Sequence, residues 1–305
     1  MLCPMRFSIW PGAFQPWDQL LATARHAEAT GWDGVWVADH FMGAGGPIPP
    51  ETPTLEAGSL VAALAATVPR VRIGTLVYGN TYRHPAVVAN MAATVDHVSG
   101  GRFTLGIGAG WQENEHEQYG IPLPPVRERV SRFEEAVAII RKLLHEPQAT
   151  FLGRHYAVID ALCEPKPVQD SLPILIGAQG EQRMLGLVAE LADQWNTWGL
   201  PDVIQHKSSV LDQHCERLGR DPAEIVRTAQ CLVFLTEDEA TADRLISGVS
   251  MPAYGGPPAR IADTVAEYAK VGLDELIIPD RTLGAGQARF DRMDRFIEEI
   301  APQFR

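Results

Sequence analysis

Gly31-Trp32-Asp33-Gly34-Val35-Trp36-Val37-Ala38-Asp39-His40-Phe41 is the stretch whose reading decides the fold. Gly31 stops a helical pattern that runs over 16–30 and opens with Pro16, a residue suited to a helix start. The five residues 34–38 are apolar on both faces, as a parallel strand buried on both sides must be. That strand runs straight into Asp39-His40, so two chemically capable side chains stand at its C-terminal end.

Working outward, the same alternation repeats. Strand patterns lie at 5–10, 71–77, 103–107, 172–176, 194–197, 227–235 and 275–278. Helical patterns lie at 54–67, 85–98, 127–145, 181–192, 201–218, 258–271 and 288–300. Residues 149–160 carry a turn at Gly153-Arg154 between two β-prone pieces and read as a hairpin inserted before the fifth strand. No internal repeat and no low-complexity linker divides the chain. Eight strands, each followed by a helix, within 305 residues predict one α/β domain, a (β/α)8 TIM barrel with insertions after strands four and seven. Residues 1–4 read as a frayed leader ahead of the first strand.

Composition narrows the function classes. The chain is 46% hydrophobic and 21% charged, in the globular range. No apolar run approaches the ~20 residues that span a bilayer, and the start lacks the pattern of a secretory signal. A formal charge of −12 disfavours nucleic acid, whose phosphates demand a basic footprint. Cys3, Cys163, Cys215 and Cys231 are far apart and form no C-x-x-C pair, so neither a disulfide framework nor a zinc site is expected. A cytoplasmic protein acting on a small organic molecule, with no nucleic-acid or membrane partner, is the consistent reading.

In a barrel of this kind the chemistry sits at the C-terminal strand ends. His40 there suits proton exchange near neutral pH, with Asp39 to tune or orient it; a rim histidine bonded to backbone is the plainer alternative. The closely spaced glycines of Gly106-Ile107-Gly108-Ala109-Gly110 let backbone approach a flat ligand, or simply close a tight strand end. They are not the dinucleotide fingerprint. Gly177-Ala178-Gln179-Gly180 precedes a helix whose free amides, with Arg183 one turn in, suit a phosphate; it reads equally as an ordinary strand–helix turn. Trp10, Trp36, Trp111, Trp195 and Trp198 lie in or beside strand ends, where they flank a planar ring or serve as packing. No nucleophile elbow, H-E-x-x-H or Walker loop is present. Asp39, His40, His84 and Asp280 have poor spacing for a metal set, and no metal is expected.

Together these segments resemble the bacterial luciferase-like oxidoreductases, and most closely their branch that uses coenzyme F-420 (F420), a deazaflavin. The matching stretches are 31–41, Ile73-Gly74-Thr75-Leu76-Val77, Tyr82-Arg83-His84-Pro85, 96–102, 105–111, Pro173-Ile174-Leu175-Ile176-Gly177 and Ala192-Asp193-Gln194-Trp195-Asn196. The resemblance implies a homodimer and hydride transfer between the deazaflavin C5 and an organic substrate. It places Asp39 and His40 at the ring as catalytic residues and a non-prolyl cis bond between Leu76 and Val77 behind it. It implies that Gly108, Ala109, Gly110, Asn114 and Glu115 line the ribityl side. Gly177, Ala178, Gln179, Gly180 and Arg183 would take the phosphate, and Asn196 would approach the ring.

Trp10, Tyr82, Trp111 and Trp198 then read as an apolar substrate entry. The phosphate turn departs from the family pattern, with Ala178-Gln179 where more glycine is common. Members acting on glucose 6-phosphate carry a tryptophan and a glutamate where this chain has Ala44 and Trp111, so that activity is not expected. Two alternatives stand beside the leading reading: an FMN-dependent monooxygenase consuming O2, and a barrel that binds cofactor without catalysis. FMN members tend to show Glu-His in place of Asp39-His40. Residues 247–257, rich in Gly, Pro and Ser, read as a candidate lid.

Overall fold

A computed structural model describes residues 4–305, so the leader expected at 1–4 lies outside it except for Pro4. Thirteen strands form: β1 Arg6–Trp10, β2 Gly34–Val37, β3 Arg72–Thr75, β4 Tyr78–Gly79, β5 Phe103–Gly108, β6 Ala149–Leu152 and β7 Ala157–Ala161. The rest are β8 Ile174–Gly177, β9 Gln194–Trp198, β10 Val226–Gln230, β11 Leu232–Leu235, β12 Ala253–Gly256 and β13 Glu275–Pro279. The helices are α1 Trp17–Thr30, α2 Ala57–Thr67, α3 Pro85–Ser99, α4 Glu113–Tyr119, α5 Val126–His145, α6 Met184–Leu191, α7 Pro201–Leu218, α8 Glu239–Ser247, α9 Pro258–Lys270 and α10 Gln287–Arg295. Along the chain this is the strand–helix order of a (β/α)8 barrel.

The chain clusters into two compact units. One holds the residues up to Gly12, Pro16–Trp36 and Ala178–Arg305; the other holds Ala13–Gln15 and Val37–Gly177. In the first, β2, β1, β13, β10 and β9 lie side by side and parallel, with Phe7 opposite Leu276, Ile9 opposite Val35, and Thr228 opposite both Glu275 and Asn196. Its core includes a buried polar knot: Ser8 Oγ and Trp36 Nε1 donate to the same oxygen of Glu275 at 2.5 and 3.0 Å. Phe296 sets its ring edge to Phe7 and stacks on Trp32, at 5.4 and 5.6 Å between centroids.

In the second unit β5 is the centre, parallel to β3, β4 and β8 through the pairs Ile73–Phe103, Tyr78–Ile107 and Leu105–Ile174. All six residues of β5 are buried. The inserted hairpin β6–β7 is present where the sequence placed it. Its tip is docked by one side chain: the Glu135 carboxylate of α5 accepts the backbone N–H groups of Arg154, His155 and Tyr156 at 2.8–3.0 Å.

Helix ends follow their residues. Gly31 and Gly100 adopt φ of 93° and 65° at the ends of α1 and α3, a conformation that glycine alone enters without a Cβ penalty. His84, weighed as a metal ligand, caps α3 by accepting from Ala86 N at 3.2 Å. Asp280, another of that set, accepts from Gly12 N at 3.0 Å and pairs with Arg289 at 2.8 Å.

Two expectations change around strand seven. The run 227–235 is two strands, β10 and β11, broken at Cys231. The candidate lid is half strand: Ala253–Gly256 is buried throughout and pairs parallel with β11, Val233 opposite Tyr254. A Cβ on Gly255 would sit 2.4 Å from the Phe234 carbonyl oxygen, so the glycine that made this segment look like a loop is what lets the two strands close.

Candidate active site

β2 delivers Asp39 and His40 to adjacent positions, but the structure gives them opposite fates. Asp39 is 3% exposed, and its carboxylate is fully engaged. Oδ2 accepts from Gly79 N at 2.9 Å and from Arg83 Nη1 at 2.6 Å, and Oδ1 accepts from Arg83 Nη2 at 3.0 Å. Arg83 Nη2 also donates to Glu56 Oε1 at 2.6 Å, and its guanidinium lies 4.8 Å from the Tyr78 ring centre. Glu56 in turn caps α2, accepting from Gly58 N and Ser59 N at 2.8 and 2.7 Å. Burial opposes the Arg83 charge, yet Asp39 and Glu56 outweigh it and hold the group more firmly protonated than usual. Asp39 is thereby a charge-paired anchor tying the end of β2 to the β4–α3 loop.

His40 is the more exposed member of the pair. Its side chain is 22% exposed, and Nδ1 lies 3.0 Å from Glu115 Oε1. Glu115, on α4, is wholly buried and also receives the Tyr82 hydroxyl and, at 2.8 Å, the Phe41 backbone N–H. Burial pushes the Glu115 carboxyl up, but the hydrogen bonds from His40, Tyr82 and Phe41 outweigh it and hold it below the ordinary carboxylate value. The Tyr82 hydroxyl moves the other way, raised by burial and by the carboxylate beside it. Trp111 meets the His40 ring edge-on at 5.4 Å and is 63% exposed.

Phe41 lies between Tyr82 and Tyr119, at 4.9 and 5.1 Å. His116, buried, bridges the Gln112 carbonyl and Thr81 Oγ1 at 2.6 and 2.8 Å. Asn114 donates to the Gly43 carbonyl at 2.9 Å. Asn114 and Glu115 were expected to line the ribityl side. Both side chains are bonded to the segment 40–43, as α4 folds onto the loop leaving β2.

The Leu76–Val77 peptide is cis, as the resemblance implied. Of the two readings open for the glycines opposite it, their surroundings favour the tight strand end. A Cβ on Gly106 would lie 1.9 Å from the Thr75 carbonyl oxygen, and on Gly108 or Gly177 it would meet the Val77 methyls at 2.8 or 3.1 Å. Their missing side chains make room for the protein's own Val77. Gly110, at φ 86°, faces Thr81 in the same way. Ala109 is half-buried beside it.

The remaining assigned residues lie in the other unit. Ala178 is buried, whereas Gln179, Gly180 and Arg183 are exposed. α6 begins at Met184, so Arg183 stands at the helix start rather than a turn inside it. Lys207, which the sequence reading passed over, reaches this turn from α7 and donates to the Gln179 carbonyl at 2.7 Å and to Glu181 at 3.2 Å. Asn196 is buried with its amide bound between Thr228 Oγ1 and Gln230 Nε2 at 2.8 and 3.0 Å, so it braces β9 against β10. Trp10 and Trp198 pack edge to face at 5.9 Å. The residues that sequence reasoning missed, Arg83, Glu56 and Lys207, are charged groups whose partners are remote in sequence. For Arg83 the signal was its place in the 82–85 stretch.

The family model for luciferase-like monooxygenase matches residues 1–256. The chain belongs to that family. Among relatives of this luciferase-like protein is an F420-dependent glucose-6-phosphate dehydrogenase of Beutenbergia cavernae, 30% identical, with 96% of this chain and 94% of the relative aligned. An enzyme of the same name from Microbacterium testaceum is 37% identical over 62% of this chain and 56% of its own length. Among solved structures, an F420-dependent secondary alcohol dehydrogenase in complex with an F420-acetone adduct superposes with a TM-score of 0.85 at 20% identity, covering all of both chains. The coenzyme F420-dependent tetrahydromethanopterin reductase of Methanopyrus kandleri gives 0.81 at 18% identity, covering 99% of this chain and all of its own. Over the whole chain, therefore, the fold is the luciferase-like (β/α)8 barrel. Among the described residues, no helix is long and apolar enough to cross a membrane.

Proposed function

We propose that this chain is a coenzyme F420-dependent oxidoreductase that transfers a hydride between cofactor and an organic substrate, with His40 carrying the accompanying proton. The observation that carries the reading is the His40 side chain. It stands at a barrel strand end, partly exposed, with one ring nitrogen held by a buried carboxylate. Naming of relatives as F420-dependent dehydrogenases supports the cofactor.

The residues present fit such a ring. Asn80, 2% exposed just past β4, has a side-chain carbonyl oxygen without a protein partner. A heterocycle with an imide N–H is the type of group that would satisfy it. When bound, the deazaflavin supplies the carbon that gives or takes the hydride. Leu76, Val77 and Asn80 would meet the ring; in the other unit, taken by itself, the turn 178–180 with Arg183 and Lys207 is proposed as an anion site. His40 holds or releases a proton at the substrate oxygen or carbon, and Trp111 shields that proton from bulk water.

Trp111 offers an apolar, uncharged face beside His40, which favours a bulky apolar substrate over a sugar phosphate. A single domain working as a cytoplasmic homodimer completes the proposal. Titration of the purified protein with F420 and with FMN, oxidised and reduced, tests the cofactor by fluorescence. Micromolar binding of the deazaflavin alone is expected. Preference for reduced FMN with O2 uptake would replace this reading by a monooxygenase, and binding of neither would end it. His40→Ala is expected to keep cofactor binding and lose about 10²- to 10⁴-fold in turnover.

A further inference from the structure

Glu115 is unusual in what it is asked to do. Its two oxygens, neither reaching solvent, take three donors from three directions: His40 and Tyr82 on Oε1, and the Phe41 backbone on Oε2. An ionised carboxylate only accepts hydrogen bonds. Each of the three contacts must therefore be donated to it, and at His40 the donor is Nδ1. The imidazole then carries its hydrogen on Nδ1 when neutral, which leaves the lone pair on Nε2.

We propose that Glu115 and Tyr82 are positioning residues for His40: the carboxylate, pinned by the Tyr82 hydroxyl and the Phe41 amide, fixes the Nδ1–H tautomer and makes Nε2 the atom that exchanges the proton. This rests on the proposed role of His40.

Tyr82 matters because it removes the carboxylate's freedom. With Phe41 N on one oxygen and Tyr82 on the other, the group cannot rotate to release His40 without breaking a second bond. Burial and the adjacent carboxylate keep the Tyr82 hydroxyl protonated, so it stays a donor. The charged and titratable groups around the cluster are consistent with this. Arg83 is paired with both Asp39 and Glu56, and His116, on α4 itself, lies tilted against the Tyr82 ring at 4.8 Å with both its nitrogens already bonded. Glu115 is thus the only carboxylate bonded to His40 among the described residues.

The test uses the intact protein with ¹⁵N-labelled histidine, reading imidazole tautomers from nitrogen–hydrogen correlations at neutral pH, with His40→Ala identifying the signal. The wild type is expected to show His40 as the Nδ1–H form. Glu115→Gln is expected to give mixed tautomers and to lower kcat about 10- to 100-fold with KM little changed. Glu115→Asp restores part of both. Tyr82→Phe, which removes one atom and keeps the ring packing, is expected to shift the tautomer ratio in the same direction with a smaller loss.

A wild-type His40 in the Nε2–H form, or a tautomer ratio unmoved in both Glu115→Gln and Tyr82→Phe, overturns the proposal. If His40→Ala turns over normally, the proton-carrying role fails instead. The tautomer measurement separates the two failures.

Discussion

Two buried carboxylates, Asp39 at the end of β2 and Glu115 on α4, are built differently. Asp39 is paired to a guanidinium, a partner that stays charged at every accessible pH. Glu115 is paired to an imidazole and a phenol, partners that change charge or donate without one. The first arrangement fixes backbone, tying β2, β4 and the start of α2 through Arg83. The second leaves a proton able to move. The difference is that Asp39, beside His40 in sequence, turns to Arg83, whereas the carboxylate bonded to His40 comes from a helix 75 residues away.

Variants can break this contrast. The largest effect is expected for Arg83→Met, which leaves Asp39 buried without its counter-charge and releases Glu56. A loss of about 3–5 kcal/mol is expected, read as the shift in urea midpoint. Tyr82→Phe removes one hydrogen bond to a charged acceptor and is expected to cost about 1.5–3 kcal/mol by the same measurement. Equal losses in these two would erase the distinction between a structural and a working carboxylate.

Glu56→Gln keeps the shape of the α2 cap but weakens the half-exposed link to Arg83, and about 1 kcal/mol or less is expected. The finest probe is pH. Glu115 has its carboxyl below the ordinary value in the folded state, so its contribution is complete above the unfolded value near 4.5 and disappears as pH falls through the folded one. Acid unfolding of Glu115→Gln should accordingly start from a less stable protein yet fall less steeply below that pH. A parallel acid limb would mean that Glu115 does not titrate with unfolding.

Much of this architecture was legible in the residues. Strands such as β2 and β8 were readable because apolar residues on both faces leave few alternatives over four positions, and Gly31, Gly100 and Pro85 punctuate the helices. Strand seven misled because the β-prone residues of β10 run on through Cys231 into the apolar Leu232–Leu235, with no Gly or Pro to mark the break. β12 was hidden by its glycines, of which Gly255 serves close pairing with Phe234 rather than a turn. At the site, the strand-end rule selected Asp39 and His40 but not their roles. Those depend on Arg83 and Glu115, whose approach is set by how the loop before α3 and the helix α4 fold back, a tertiary fact with no local signature. The bonds of Asn196 to Thr228 and Gln230 likewise have no local signature.

Val77 fills the hollow that Gly108 and Gly177 leave, while Gly106 is shut by the Thr75 backbone. These positions differ in the histories open to them. At 108 and 177 a methyl group becomes admissible once residue 77 has shrunk, so the order of substitution matters and the reverse order passes through a clash. At 106 no neighbouring change of side chain makes room, because the obstacle is main chain. One glycine is thus frozen, and two are conditionally free.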